Sequence, residues 1–124
     1  MKFLNGWWGM SKEIIVFKSE FKQQPSTVKF TYELKNIKHT GFVVLNDGSY
    51  NAYKNQCMHL PVELDWQDND FLDEEGKFII CATHGAIYNL EEGYCISGPC
   101  QGMKLKAMAV EEVIDRLIIK IEAE

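Results

Sequence analysis

Two cysteine–histidine pairs constrain this chain more than any other feature. Cys57 and His59 form a C-x-H motif, Cys81 and His84 form a C-x-x-H motif, and twenty-one residues separate the two motifs. The motifs use two of the three histidines in the chain. Because thiolates and imidazoles are ligands for zinc and for iron–sulfur clusters, these four side chains predict a metal centre formed by two loops.

The spacing of the motifs bears on which metal is bound. Finger-type zinc sites pair like ligands, with one C-x(2–4)-C step and one H-x(3–5)-H step. Here each motif pairs one cysteine with one histidine, and each follows a strand-like segment. This arrangement favours an iron–sulfur cluster, and a zinc-stabilised interaction module is the alternative.

The rest of the chain has the patterns of a β protein. Residues 28–34 alternate apolar and polar side chains, and residues 41–45 form an apolar strand-like run. The sequence Asn46-Asp47-Gly48-Ser49 is a strong hairpin signal, and residues 50–54 form the return strand that leads into Cys57. These patterns predict an all-β fold with antiparallel sheets.

Three further segments lie around and beyond the second motif. Residues 77–80 are strand-like and lead into Cys81, and residues 86–89 and 94–96 flank a turn at 91–93. The acidic, turn-rich segment 68–76 is predicted to be an exposed loop. Near the C-terminus, alternation over 105–109 and the β-branched run 117–121 favour a hairpin with its turn near 112–116 over a helix.

The segment around the second motif resembles the Rieske family. Gly85 follows His84 directly, Tyr88 is the aromatic residue four positions past that histidine, and Ser97-Gly98-Pro99 is similar to the family's Gly-Pro loop that covers the cluster. The resemblance runs from about Val43 to the C-terminus. It implies a Rieske-like sandwich of antiparallel sheets, with a small cluster-binding subdomain formed by two loops.

The resemblance also implies the cofactor and its ligands. One 2Fe-2S cluster would be held by Cys57 and Cys81 on one iron and by His59 and His84 on the other. Six residues would pack around the cluster and its ligands: Leu60, Gly85, Ala86, Tyr88, Gly98 and Pro99. Two of them bear on the reduction potential. Ala86 stands where high-potential members have a serine, while the Tyr88 phenol is expected to donate to a cluster cysteine sulfur, so a potential in the lower part of the family range is expected.

Cys95 and Cys100 are not used by the motifs. They flank the Gly-Pro turn closely enough in sequence for a disulfide to form. We interpret them as reduced thiols, and a redox-sensitive pair that stiffens the covering loop is the alternative.

Length and composition predict a single domain. Residues 1–11 are interpreted as an N-terminal extension and residues 12–124 as the Rieske 2Fe-2S domain, with the cluster-binding subdomain at about 55–101. The net charge of −5 makes nucleic acid and anionic membrane surfaces poor partners, and no segment is long and apolar enough to span a bilayer. The expected location is the cytoplasm.

The function that the resemblance implies is one-electron transfer by a soluble ferredoxin. The partners would be a flavoprotein reductase as donor and a terminal oxygenase or reductase as acceptor. The chain is not expected to be a catalyst by itself, because only His39 is left for the two-histidine, one-carboxylate iron site of an oxygenase. The alternative is a small non-catalytic, Rieske-like subunit of a larger reductase.

Overall fold

A computed structural model describes residues 11–56, 63–65, 69, 71–81 and 85–122. Within these residues, nine strands form two antiparallel sheets. The strands are β1 Ser11–Phe17, β2 Ser26–Leu34, β3 Ile37–Asn46, β4 Ser49–Lys54, β5 Phe78–Ile80, β6 Ile87–Asn89, β7 Cys95–Ser97, β8 Ala107–Glu112 and β9 Arg116–Glu122. A short 3-10 helix, Lys18–Glu20, follows β1. The all-β prediction is confirmed.

The larger sheet has the strand order β1-β9-β8-β4-β3-β2. Its two three-stranded halves are joined by a short β4–β8 pairing, in which Ala52 faces Met108 and Tyr53 faces Ala107. One hydrophobic core lies between the halves, because buried side chains from β1 and β9 pack with buried side chains from β2, β3 and β4. The two halves therefore form the predicted sandwich.

Strand β3 is buried on both faces where it crosses the middle of the molecule. Val43 belongs to the core between the two halves, whereas Phe42 and Val44 belong to a second core. All three side chains are fully buried. A strand between two cores needs apolar residues at successive positions, which explains the unbroken apolar run at 41–45.

The second cysteine–histidine motif begins at Cys81, directly after strand β5 of the second sheet. This sheet has the order β5-β6-β7, and its buried side chains Ile79 and Tyr88 pack in the same core as Phe42 and Val44. This small sheet is therefore fixed against the outer face of the sandwich. Any site at its loops is held by the same packing.

Three predicted hairpins are present, and in one of them β6 and β7 pair antiparallel on either side of the predicted turn at 91–93. Asn46 pairs with Ser49, and the two residues between them, Asp47 and Gly48, have φ values of +53° and +79°. Positive φ at both central positions is the type I′ geometry that suits the twist of paired strands. Near the C-terminus, β8 and β9 pair antiparallel with the turn at 113–115, so the hairpin prediction is confirmed.

The prediction of an exposed loop at 68–76 is wrong for its middle. Phe71 is fully buried and stacks on Phe42, with ring centroids 4.0 Å apart, and Leu72 pairs with Ile79. Because the segment 68–76 is rich in acidic residues, the sequence pattern did not reveal that Phe71 is buried. Burying one such aromatic side chain stabilises a fold by about 2–3 kcal/mol, enough to fix the loop at its centre. Asp68 and Asp70 lie outside the described residues.

No helix in the part of the chain that the structure describes is long and apolar enough to cross a membrane.

Candidate metal centre

Cys81 is placed by the β5–β6 hairpin. Strand β5 ends at Ile80, and the Cys81 side chain is fully buried beside that strand end. The Cys81 N–H donates to the Ala86 carbonyl at 2.8 Å, and the Gly85 N–H donates to the Cys81 carbonyl at 2.7 Å. These two hydrogen bonds join the two ends of the loop. They fix the backbone of Cys81 relative to Gly85 and Ala86.

Gly85 is required here for its backbone conformation. Its φ is +74°, in the left-handed region that residues with a side chain rarely adopt. Apart from its chain neighbours, no described residue has an atom within 4 Å of a Cβ atom built on Gly85, so the reason for glycine that the structure shows is the backbone conformation. The residue is also exposed, unlike its neighbour Ala86.

The Gly-Pro loop lies directly against this hairpin. Gly98 has a φ of +105°, and a Cβ atom on it would lie 2.8 Å from the Ala86 Cα atom. Real Cβ atoms essentially never come that close to another backbone, so only glycine fits without a shift. Pro99 follows and is exposed. Gly85, Ala86, Gly98 and Pro99 therefore lie around one corner of the small sheet, and their place around a cluster stays a prediction.

Tyr88 is buried next to this corner of the small sheet, and its hydroxyl begins a series of polar contacts with Cys100 and Cys95. Its hydroxyl lies 3.0 Å from the Cys100 sulfur, and the Cys100 sulfur lies 3.1 Å from that of Cys95. The Cys95 thiol also donates to the Ser97 carbonyl at 3.3 Å. Cys100 is thus one partner of the Tyr88 phenol, and a hydrogen bond from this phenol to a ligand cysteine stays a prediction.

Burial controls the acidity of one of these thiols. The pKa of Cys95 is raised to about 11, chiefly because burial disfavours the thiolate and also because Cys100 is a hydrogen-bonded neighbour. Cys95 is therefore a protonated thiol at neutral pH.

The first motif is flanked by a residue that the sequence analysis did not identify. Asn55 is only 5% exposed, and its side chain uses all of its hydrogen-bonding groups. The amide nitrogen donates to Thr40 at 3.1 Å and to Asp65 at 2.9 Å, and the amide oxygen accepts from the Leu64 N–H at 2.8 Å. Asn55 thus ties the chain before the first motif to the chain after it.

Asp65 continues this network to strand β2. Its side chain is 1% exposed and accepts from the Lys29 ammonium at 2.9 Å. Burial alone would raise the pKa of Asp65, but hydrogen bonds from Asn55, Lys29 and the Asn69 N–H lower it below its usual value. The carboxylate is therefore ionised and serves as the anchor of the network.

Several predicted site residues lie outside the described part of the chain: Cys57, His59, Leu60 and His84. Among the residues that are described, no three His, Cys, Asp or Glu side chains converge as a metal site. Of the four predicted ligands, the structure places Cys81.

The described surroundings of Cys81 fit a metal-bound thiolate at this residue. Its loop is closed by backbone bonds, Gly85 supplies the left-handed backbone conformation within that loop, and glycine at 98 lets the Gly-Pro loop approach the Ala86 backbone. A thiolate in such a buried place needs a strong partner, because an isolated buried charge is costly. A cluster iron is a partner of that kind.

The family of the chain is identified by comparison with known proteins. A family model described as "Rieske [2Fe-2S] domain" matches residues 12–112, whereas no curated protein matches the chain. The matched range covers β1 to β8 and contains both cysteine–histidine motifs.

Several solved structures share the fold. In "The reduced complex between oxygenase and ferredoxin in carbazole 1,9a-dioxygenase", a chain aligns with a TM-score of 0.66 at 21% identity, covering 94% of this chain and 29% of that one. The "Terminal oxygenase of carbazole 1,9a-dioxygenase from Novosphingobium sp. KA1" aligns with a TM-score of 0.66 at 17% identity, covering 94% and 30%.

A third structure contains a match of similar length. In the complex of reduced oxygenase and oxidized ferredoxin in carbazole 1,9a-dioxygenase, a chain aligns with a TM-score of 0.65 at 20% identity. Coverage is 94% of this chain and 97% of that one. In the first two structures, by contrast, this chain spans less than a third of the matched chain. At these identities the likeness shows the fold.

The family match also decides between the two metal interpretations, in favour of the cluster and against zinc. From its match over residues 12–112, this chain belongs to the Rieske [2Fe-2S] domain family, whose domain binds one 2Fe-2S cluster.

Proposed function

We propose that this chain carries single electrons between proteins, with Cys57 and Cys81 as ligands of one iron and His59 and His84 as ligands of the other. The observation that carries the proposal is the placement of Cys81, buried at a strand end in a loop closed by two backbone hydrogen bonds. When bound, the cluster supplies one-electron reduction and reoxidation. The order of the four residues in the sequence supports the remaining ligands.

The role of the protein is to hold the two ligand loops in place. The second loop is fixed by the closed hairpin at Cys81, and the first loop is bracketed by Asn55 and its bonds to Leu64 and Asp65. A site whose supporting shell is fixed needs little rearrangement when its charge changes. We propose that the residues packed around the cluster are Leu60, Gly85, Ala86, Tyr88, Gly98 and Pro99.

The proposed donor is a flavoprotein reductase, and the proposed acceptor is a terminal oxygenase or a similar enzyme. Support comes from two of the solved structures that share this fold, which are complexes of an oxygenase with a ferredoxin in carbazole 1,9a-dioxygenase. The net charge of −5 favours partners with a basic docking face, since complementary charge speeds encounter.

The domain boundaries and the location are part of the same proposal. Residues 12–124 would form one domain with the cluster-binding part at 55–101, residues 1–11 would be an extension, and the protein would act in the cytoplasm. The small sheet β5-β6-β7 lies within 55–101, which supports that division.

A two-step electron-transfer assay tests the function. The reconstituted protein is reduced by NADH through a flavoprotein ferredoxin reductase and is then mixed with the oxidised terminal oxygenase of carbazole 1,9a-dioxygenase in a stopped-flow instrument. We expect the visible spectrum to bleach in the first step and to return in the second, with one electron passed per protein.

Two outcomes separate the parts of this proposal. If ferricyanide restores the spectrum of the reduced protein and the oxygenase does not, the chain is a carrier but the proposed type of acceptor is wrong. If the visible spectrum cannot be cycled by any donor and acceptor, electron transfer itself is excluded. A His84→Ala variant, which should lose the chromophore, serves as the control for both steps.

A further inference from the structure

Cys95 and Cys100 lie together at the base of the Gly-Pro loop. Their sulfur atoms are 3.1 Å apart, and each residue is 2% exposed. Sulfur atoms in a disulfide are about 2.05 Å apart, so an approach of about 1 Å would join them. The two sulfur atoms are therefore in contact but not bonded.

The backbone holds both cysteines in this arrangement. The Cys95 N–H donates to the Met103 carbonyl at 2.7 Å, and the Met103 N–H donates to the Cys100 carbonyl at 3.0 Å. The Gly102 N–H donates to the Cys95 carbonyl at 3.1 Å. Because Met103 bonds to both cysteines, the two backbones cannot separate without breaking several of these bonds.

We propose that Cys95 and Cys100 are an oxidation site that closes to a disulfide across the loop Ser97-Gly98-Pro99. The dithiol is the resting state in a reducing compartment, and the proposed oxidant is a small hydroperoxide. This site lies outside the cysteine–histidine motifs, and it stands independently of the electron-carrier function proposed above.

The chemistry balances in two steps. One thiol gives up its proton as its sulfur attacks the peroxide, the O–O bond breaks, the leaving oxygen takes up the proton, and the products are a sulfenic acid and water. The thiol of the other cysteine then attacks the sulfenic sulfur, the S–S bond forms, the S–O bond breaks and a second water leaves. Two thiols and one hydrogen peroxide thus give one disulfide and two waters.

Formation of the disulfide would change the contacts of Tyr88 and of the Gly-Pro loop. In the dithiol, either Tyr88 or Cys100 can donate the hydrogen bond between them. The disulfide removes both S–H groups, so the Tyr88 hydroxyl becomes the donor. The new bond also closes a ring over residues 95–100 and restrains Gly98, whose backbone packs on Ala86.

The chain offers a clean assay for this site. Cleavage after glutamate releases residues 93–111, a peptide that contains Cys95 and Cys100 but neither cysteine of the metal motifs. The cluster-loaded protein is treated with hydrogen peroxide, denatured with a thiol-alkylating reagent and cleaved. The expected result is a 93–111 peptide that has lost two hydrogens and carries no alkyl group, while the untreated sample carries an alkyl group on each cysteine.

Single-cysteine variants provide the matched controls. In Cys95→Ala and in Cys100→Ala, the same peptide has one cysteine and cannot lose two hydrogens by internal closure. The proposal is overturned if the treated wild-type peptide still carries both alkyl groups, or if it carries sulfinic acid on one cysteine and an alkyl group on the other. Loss of the visible spectrum during treatment does not affect this assignment, because the peptide contains no ligand.

Discussion

At the scale of single residues, Asn55 has the widest consequences for the proposed site. It stands two positions before Cys57, and its three hydrogen bonds reach strand β3 and the chain beyond the first motif. The sequence showed an asparagine after a strand, which is a common turn residue. Its partners become neighbours only in the folded chain, so local pattern could not reveal this role.

Replacing Asn55 by leucine tests that role. The substitution keeps the approximate volume but leaves the Leu64 N–H and one Asp65 oxygen without their partner, at a cost of about 1–3 kcal/mol. We expect the apparent melting temperature of the loaded protein to fall by roughly 4–12 °C, measured by calorimetry. Asn46→Ala is the control. The Asn46 side chain makes a long hydrogen bond of 3.4 Å to Glu91, so this substitution should change the melting temperature little. Equal shifts would contradict the assigned role of Asn55.

Asp65 predicts how stability depends on acid. Its pKa is lower in the folded protein than in the unfolded chain, where an aspartate has a pKa of about 3.9. The stability it contributes is therefore fully present above about pH 4, and it is lost as the pH falls through the folded value. We expect Asp65→Asn to lower stability at pH 7, with the difference from wild type shrinking as the pH is lowered below about 4 in urea unfolding. A difference that stayed constant down to strongly acid solution would contradict the assignment.

At the scale of elements, local patterns predicted most of the hairpins. The Asp47-Gly48 turn and the β8–β9 hairpin follow from turn residues and from alternation, which act between residues close in sequence. The burial of Phe71 could not be predicted in the same way. Its partner Phe42 lies in a strand far from it in the sequence, and the segment 68–76 around it is rich in acidic residues.

The contact between the Gly-Pro loop and the second motif gives a prediction at this scale. Gly98 and Gly102 have similar positive φ values, +105° and +92°, but within the described part of the chain only Gly98 of the two lies against another backbone. A methyl group at either residue strains the backbone, and at Gly98 it also collides with the Ala86 Cα atom. We expect Gly98→Ala to destabilise the loaded protein by about 1–3 kcal/mol more than Gly102→Ala, compared by the rate of colour loss in urea. Equal rates would show that the two loops are not in contact.

At the scale of the whole molecule, the sequence predicted the architecture and the type of site. Two ligand motifs, a following glycine and a Gly-Pro loop gave the family, and the match over residues 12–112 confirmed it. The sequence did not predict how the site is supported, because Asn55, Asp65 and Lys29 come from separate elements and meet through folding. The assignment of the four ligands stays a prediction.

The net charge of −5 gives a prediction for the whole surface. If the acceptor docks through a basic face, added salt weakens the attraction, and the second-order rate of electron transfer to the oxygenase should fall by about tenfold or more over a range of roughly 50 to 500 mM salt. Ferricyanide is the matched control, because this anion is repelled by the protein and its rate should rise with salt. A rate to the oxygenase that rose with salt in the same way would exclude a basic docking face.

The central claim is that two histidines bind one iron of the cluster. The most direct test is pulsed electron–nuclear double resonance on the reduced protein, prepared with ¹⁵N-labelled histidine. The account predicts two strongly coupled ¹⁵N nuclei, and it predicts that the coupling of one is lost when its histidine, His59 or His84, is replaced by cysteine. A reduced cluster whose signal shows no histidine nitrogen coupling would contradict the account.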